Sequence, residues 1–192
     1  MTATHTTGSR STTLPHPTPR ARQAASPTMT FGIGQTALGR TLVAQGRRGI
    51  TAILVGENDD DMRNDLQRRF PSAGLIRDDS ELGDALAKVA ALIEAPAGGF
   101  DIDLDVLGGT PFQRRVWQEL RNIPVGETAT YGQIAERIGA PKAVRAVGMA
   151  CGANNISVAI PCHRVVHGSG KQAGYHWGVA RKNMLLEKER QA

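Results

Sequence analysis

The chain has 192 residues, enough for one compact domain or two small ones, and 40% of them are hydrophobic. Its net charge of +5 is unevenly spread: residues 1–28 hold three Arg and no acid, 29–100 hold 8 basic and 10 acidic side chains, and 101–192 hold 12 basic and 8 acidic ones, so the C-terminal half is the candidate polyanion-binding part. Two Cys are too few for a disulfide framework or a Cys-based zinc site, and no apolar run suits a bilayer span or a signal-peptide core; a reducing, cytoplasmic setting fits best.

Residues 1–28, rich in Thr, Ser, Pro and Arg and lacking an amphipathic apolar face, read as a disordered basic tail rather than a transit peptide. An N-terminal α/β domain is expected over 29–100. Residues 30–36, 41–45 and 49–55 contain several β-branched residues and are separated by Gly39-Arg40 and Gly46-Arg47-Arg48, the pattern of an antiparallel meander. Asn58 is placed to cap a helix running to about Phe70, with Asp59, Asp60 and Asp61 in its first turn and Arg68 and Arg69 in its last. Ser80 is placed to open a second helix, with Leu82, Leu86, Val89 and Leu92 on one face. The three acids at 59–61 read as a helix cap rather than a metal site, and no catalytic cluster stands out in this half.

After the Gly98-Gly99 break, a C-terminal domain is expected over 101–192. Residues 101–106 alternate like an edge strand. Thr110-Pro111 signals a helix start whose stripe of Phe112, Val116, Trp117 and Leu120 belongs to the core. Thr130 caps a helix over 131–138, Gly139-Ala140 turns the chain, and Pro141 opens a helix to about Ala153, a helix-turn-helix pattern. In that second helix Val144 and Val147 are expected to face inward. Lys142 and Arg145 are its only long polar residues, while Ala143, Ala146, Gly148, Ala150, Gly152 and Ala153 leave a slim rod. A major-groove reader needs several Asn, Gln or Arg side chains, so sequence-specific recognition is not expected. Small residues permit close approach to a minor groove with one Arg inserted, or simply tight helix packing, and composition alone leaves the two even.

Asn154 falls where that helix should stop, and residues 156–160 read as a buried strand leading into Pro161-Cys162-His163. A thiolate is the reactive form of Cys, and a neighbouring imidazole is one of the few devices that activates it. Adjacent side chains on a strand point to opposite faces, so Cys162 and His163 cooperate only if the backbone turns there, which Pro161 favours. A buried, inert Cys is the commoner outcome for an isolated Cys-His pair. Gly168-Ser169-Gly170 and Gly174-Tyr175 mark loops, and residues 179–188 form a last helix with Leu185 and Leu186 buried.

Taken together, residues 109–117 (GTPFQRRVW), 124–135 (PVGETATYGQIA), 141–147 (PKAVRAV), Asn154, 160–166 (IPCHRVV) and 174–182 (GYHWGVARK) resemble the O6-alkylguanine-DNA methyltransferases, nearest to the C-terminal portion of bacterial Ada-type members. The resemblance covers roughly 31–189 and is weaker in the first half. It implies an α/β fold with an N-terminal ribonuclease-H-like domain followed by a mainly helical, winged-helix-like domain. It also implies that Cys162 accepts the alkyl group, that His163 activates it through a water, and that Glu189 orients the imidazole. Asn154 would brace the active-site segment, Arg145 would fill the space left by an extruded base, and Tyr131 would promote flipping and donate to the guanine. The backbone around Val165, Tyr175 and His176 would line the guanine pocket, with Lys142, Ala143 and Ala146 beside Arg145 on the DNA face. The implied partner is duplex DNA carrying alkylated guanine, held largely independently of sequence through the minor groove by a monomer. The implied chemistry uses no cofactor, and with no Cys in the N-terminal half no zinc is expected. The rivals are a damage-sensing relative without transfer activity, a Cys-His hydrolase or redox enzyme, and a winged-helix transcription factor.

Overall fold

A computed structural model of the chain describes residues 28–168 and 174–192; the basic tail expected to be disordered and the Ser169-Gly170 loop signal lie outside the described residues, apart from Thr28. The first three apolar segments form β1 (Thr28–Thr36), β2 (Gly39–Gly46) and β3 (Gly49–Gly56), an antiparallel meander paired Thr36 to Gly39 and Gly46 to Gly49 across two-residue turns. Asn58 caps α1 (Asp59–Arg69) as expected, its side chain accepting from the backbone N–H groups of Asp60 and Asp61 at 2.8 and 3.1 Å. A short strand without alternation, β4 (Gly74–Arg77), was not expected; it pairs in parallel with β1 and gives the order β3-β2-β1-β4.

The helix expected from Ser80 begins later, as α2 (Gly83–Glu94) with Leu82 at its cap position. The reason is Asp78, whose carboxylate accepts from the N–H groups of Ser80 and Glu81 and holds them in a turn. Period-two alternation splits the sheet's apolar residues between its faces. Phe31, Ile33, Leu42 and Leu54 pack with Met62 and Leu66 of α1, whereas Val43, Ile53 and Val55 pack with α2 and with the C-terminal half. Helix α2 lies so close to β1 that a Cβ at Gly32 would come within 2.8 Å of Leu82 Cβ. The larger core cluster therefore draws on both halves of the chain.

The edge strand expected over 101–106 is reduced to one parallel bridge, Ile50 to Leu104. There Ile50 N–H donates to Asp103 O and Asp105 N–H to Ile50 O, both at 2.8 Å. Gly49 makes this possible: its φ is +139°, and a Cβ would lie 2.1 Å from Asp103 O.

Helix α3 (Pro111–Leu120) starts with a capping box between Thr110 and Gln113, and Val116, Trp117 and Leu120 are buried while Phe112 is only half-buried. A second capping box, Thr130 with Gln133, links the two-residue strand β5 (Ala129–Thr130) to α4 (Tyr131–Arg137). Helix α5 (Val144–Gly152) begins three residues after Pro141, because residues 140–143 are spent on a turn in which Ala140 N–H donates to Ala135 O and Ala143 N–H to Ala140 O. Lys142 and Ala143 thus precede the helix. Val144, expected inside, is 42% exposed, while Val147 and Ala150 face the core.

The strand expected over 156–160 is replaced by a tight reversal. Ile156 bridges to Ile53, Ser157 bridges to Ile160, and Val158 takes a φ of +69°, which a β-branched residue rarely adopts. A single 3-10 turn at Cys162–Arg164 follows, then β6 (Val165–Val166) in parallel with β5, and finally α6 (Val179–Arg190), where Leu185 is buried and Leu186 half-buried. No helix among the described residues is long and apolar enough to cross a membrane.

Candidate active site

The 3-10 turn supplies the break in strand geometry that a Cys-His pair needs. Cys162 opens it, 8% exposed, with its N–H donating to Ile160 O at 2.8 Å. Asn154, where α5 has just ended, ties the reversal together: Nδ2 donates to Ile160 O at 2.8 Å and to Cys162 Sγ at 3.3 Å, and Oδ1 accepts from Ile156 N–H at 3.0 Å. Burial pushes the Cys162 thiol up, against the Asn154 hydrogen bond and the positive charge of Lys182, so at rest it keeps its proton.

His163, the next residue, is fully buried, with Nε2 2.7 Å from Glu189 Oε1. Glu189, in the last turn of α6, also accepts from Arg164 Nε at 2.9 Å and Nη2 at 3.0 Å. Burial opposes its charge, but the hydrogen bonds from His163 and Arg164 hold its carboxyl down to about 2. Arg164 Nη1 in turn donates to Ile123 O at 2.5 Å. Burial lowers His163 against the pull of Glu189, leaving a neutral imidazole. An ionised carboxylate only accepts, so Nε2 carries the ring proton and Nδ1 presents a lone pair; Nδ1 is buried without a hydrogen-bond partner among the described residues.

In front of the thiol lies a cavity of about 300 Å³ lined by Cys162, Asn154, Tyr131, Tyr175, His176 and Trp177, with Gly148, Cys151 and Gly152 on the α5 side. A hollow of about 420 Å³ adjoins it through Tyr131 and Gly148 and is lined also by Gly132, Val144, Arg145 and His167. Tyr131 lies between the two, its ring centroid 5.4 Å from that of His167. Its hydroxyl is pushed up to about 12 by burial and the nearby thiols, so it is a neutral donor. A larger groove, about 750 Å³ between Gly126, Thr128 and α6, holds no nucleophilic thiol.

The structure brings Cys162, His163, Asn154, Glu189, Tyr131, Tyr175 and His176 into one locality. Val165 has a buried side chain, and its carbonyl accepts from Lys182 Nζ at 2.6 Å. Arg145 lines the adjoining hollow, whereas Lys142, Ala143 and Ala146 line neither space. Sequence reasoning missed Lys182 and Arg164, two buried cations that belong to this site. Burial lowers Lys182, with the two thiols opposing that shift. Their only signal was position, within or beside the 160–166 and 174–182 stretches.

Residues 111–191 match the family described as 6-O-methylguanine DNA methyltransferase, DNA binding domain. The chain is 46% identical over 159 residues to the bifunctional transcriptional activator/DNA repair enzyme Ada of Escherichia coli, covering 83% of this chain and 45% of that protein. It therefore spans less than half the length of that relative. Over 117 residues it is 46% identical to the methylated-DNA–protein-cysteine methyltransferase of Mycobacterium leprae, covering 61% of this chain and 70% of that one. The crystal structure of Mycobacterium tuberculosis OGT in complex with DNA superposes with a TM-score of 0.72 at 36% identity, over 84% of this chain and 93% of that one.

Proposed function

This chain belongs to the O6-methylguanine DNA methyltransferase family, and from that premise we propose that it repairs alkylated guanine in duplex DNA by direct reversal, moving the alkyl group once and irreversibly to Cys162. The observation that carries this is the thiol of Cys162 in the wall of a base-sized cavity, held by Asn154, with a neutral His163 and an ionised Glu189 behind it.

In this reading the Cys162 proton passes to His163 Nδ1 through a water, and Glu189 stabilises the imidazolium that forms. The sulfur then bonds to the alkyl carbon as the carbon–O6 bond breaks. The electron pair leaves on the guanine, which takes up a proton in balance with the one given up by the thiol and stays in its strand as ordinary guanine, with the Tyr131 hydroxyl donating to the charge that develops. The product is a thioether that no group in the site can cleave, so each chain acts once.

The target carbon lies inside a stacked duplex, so the nucleotide has to be extruded at a cost of a few kcal/mol. The exposed face of α5 supports a minor-groove contact: Arg145 stands at the hollow beside the cavity among Val144, Gly148 and Gly132, with room for close approach. The strand order β3-β2-β1-β4 with β4 parallel supports a ribonuclease-H-like domain over 29–100, and α4, α5 and the β5–β6 ribbon support a winged-helix-like domain over 101–192. A reducing, cytoplasmic setting would keep Cys162 as the thiol. The test is stoichiometry: with methylated duplex in excess, methyl loss should plateau at one per chain, and continued turnover would refute the scheme.

A further inference from the structure

Arg69, in the last turn of α1, extends from the N-terminal half to the rim of the acceptor cavity. Each of its guanidinium nitrogens serves a different partner: Nε donates to Asp65 Oδ2 at 2.8 Å, Nη1 to Asn155 Oδ1 at 2.8 Å and Nη2 to His176 Nε2 at 2.9 Å. The guanidinium carbon also lies 5.6 Å from the centroid of the Trp177 ring. The side chain is only 13% exposed, whereas its neighbour Arg68 is 70% exposed and pairs with Asp65.

Both distant partners matter to the site. Asn155 directly follows Asn154, the residue bonded to Cys162 Sγ, and its own carbonyl accepts from Ile53 N–H at 2.8 Å. His176 and Trp177 line the cavity in front of the thiol, their rings edge-on at 4.4 Å, and Trp177 Nε1 donates to Ser157 Oγ at 2.5 Å. One side chain of the N-terminal half thus joins the segment that braces the sulfur to the segment that closes the cavity. A planar guanidinium can serve three partners in fixed directions; an ammonium cannot.

We propose that Arg69 is a positioning residue for alkyl transfer, clamping Asn155 and the His176-Trp177 rim at the spacing the reacting guanine requires. This rests on the assignment of Cys162 as acceptor made above. The clamp acts on the chemical step and not on the grip on DNA, because Arg69 lies apart from the Arg145 hollow. It also fixes a tautomer: Nη2 can only donate, so His176 Nε2 accepts and the ring is neutral. Burial and then the Arg69 charge hold His176 below its ordinary range, with Asp65 opposing them.

The experiment compares Arg69→Ala, Arg69→Lys and Arg68→Ala with the parent chain. It measures the rate constant for methyl transfer from free O6-methylguanine base and from duplex, the duplex Kd, and the titration of His176 by NMR. For Arg69→Ala both rate constants should fall by a similar factor, about tenfold, as displacement of reacting groups by a fraction of an ångström entails. The Kd and the endpoint of one methyl per chain should stay as they were, and the His176 midpoint should rise. Arg69→Lys, which keeps the charge beside Asp65 and so guards against simple misfolding, should fall between; Arg68→Ala should match the parent. Unchanged rates in Arg69→Ala and Arg69→Lys, a loss that merely tracks the folded fraction, or an unmoved His176 midpoint would overturn the inference alone. A parent chain that takes up no methyl would overturn the acceptor assignment and the inference with it.

Discussion

Replacing Glu189 by Gln removes one negative charge from a site built around it. The carboxylate accepts from His163 Nε2 at 2.7 Å and from Arg164 at 2.9–3.0 Å, with all three side chains buried. The introduced amide would keep a single acceptor and turn an N–H₂ towards groups that also only donate. The Arg164 guanidinium would be left as a buried charge without its counter-ion, which typically costs about 3–5 kcal/mol, a large share of the ~5–15 kcal/mol that holds a domain together. Urea unfolding of the two proteins at pH 7 measures this directly. The pH dependence has a definite sign. A carboxyl held at about 2 against an ordinary 4.5 contributes stability that is fully present above 4.5 and is lost as pH falls towards 2. The parent chain should therefore lose stability across that window more steeply than Glu189→Gln, and the gap between them should narrow. Transfer should slow as well, by about a hundredfold, because the imidazolium formed on His163 loses its stabilising partner. Equal stability at pH 7 together with an unchanged transfer rate would refute both the ion-pair argument and the role given to His163.

Cys162→Ala should abolish transfer while leaving duplex affinity intact in a binding titration; loss of binding as well would make the Cys mainly structural. Arg145→Ala should slow repair of duplex by about a hundredfold yet leave transfer from the free base nearly unchanged, since only the duplex substrate has to be unstacked; equal losses would remove Arg145 from the flipping step. Gly49→Ala should destabilise by about 2–3 kcal/mol in denaturant unfolding, because the φ of +139° and the Asp103 carbonyl leave no place for a Cβ; a neutral result would show that the 101–106 segment is free to move aside.

The parts of the site that were legible in the sequence are those where neighbours in the chain are neighbours in space. Cys162 and His163 are adjacent, and the Thr110 and Thr130 capping signals lie within the turn they stabilise. Asn154 is marked locally only as the point where a helix should stop, and its bracing role, like the whole of Glu189's, comes from the family resemblance, because nothing local marks a Glu near a chain end as special. Lys182 and Arg164 passed unnoticed because a cation in a basic half reads as surface; their burial depends on Val165 O, Glu189 and Ile123 O, which the fold brings from elsewhere. The apolar run 156–160 reads as a strand by composition, yet Asn154 and the bridge to Ile53 fold it back on itself. The Arg69 clamp joins positions 86 and 107 residues apart, a relation that no local pattern carries.

In the proposed transfer Cys162 Sγ becomes a thioether. The most direct measurement is the mass of the peptide containing Cys162, and of the one containing Cys151, after the chain has met duplex DNA bearing O6-methylguanine. One added CH₂ is expected on the Cys162 peptide, none on the Cys151 peptide, and no loss of the modification on standing. An unmodified Cys162 peptide alongside repaired DNA would rule out Cys162 as the acceptor.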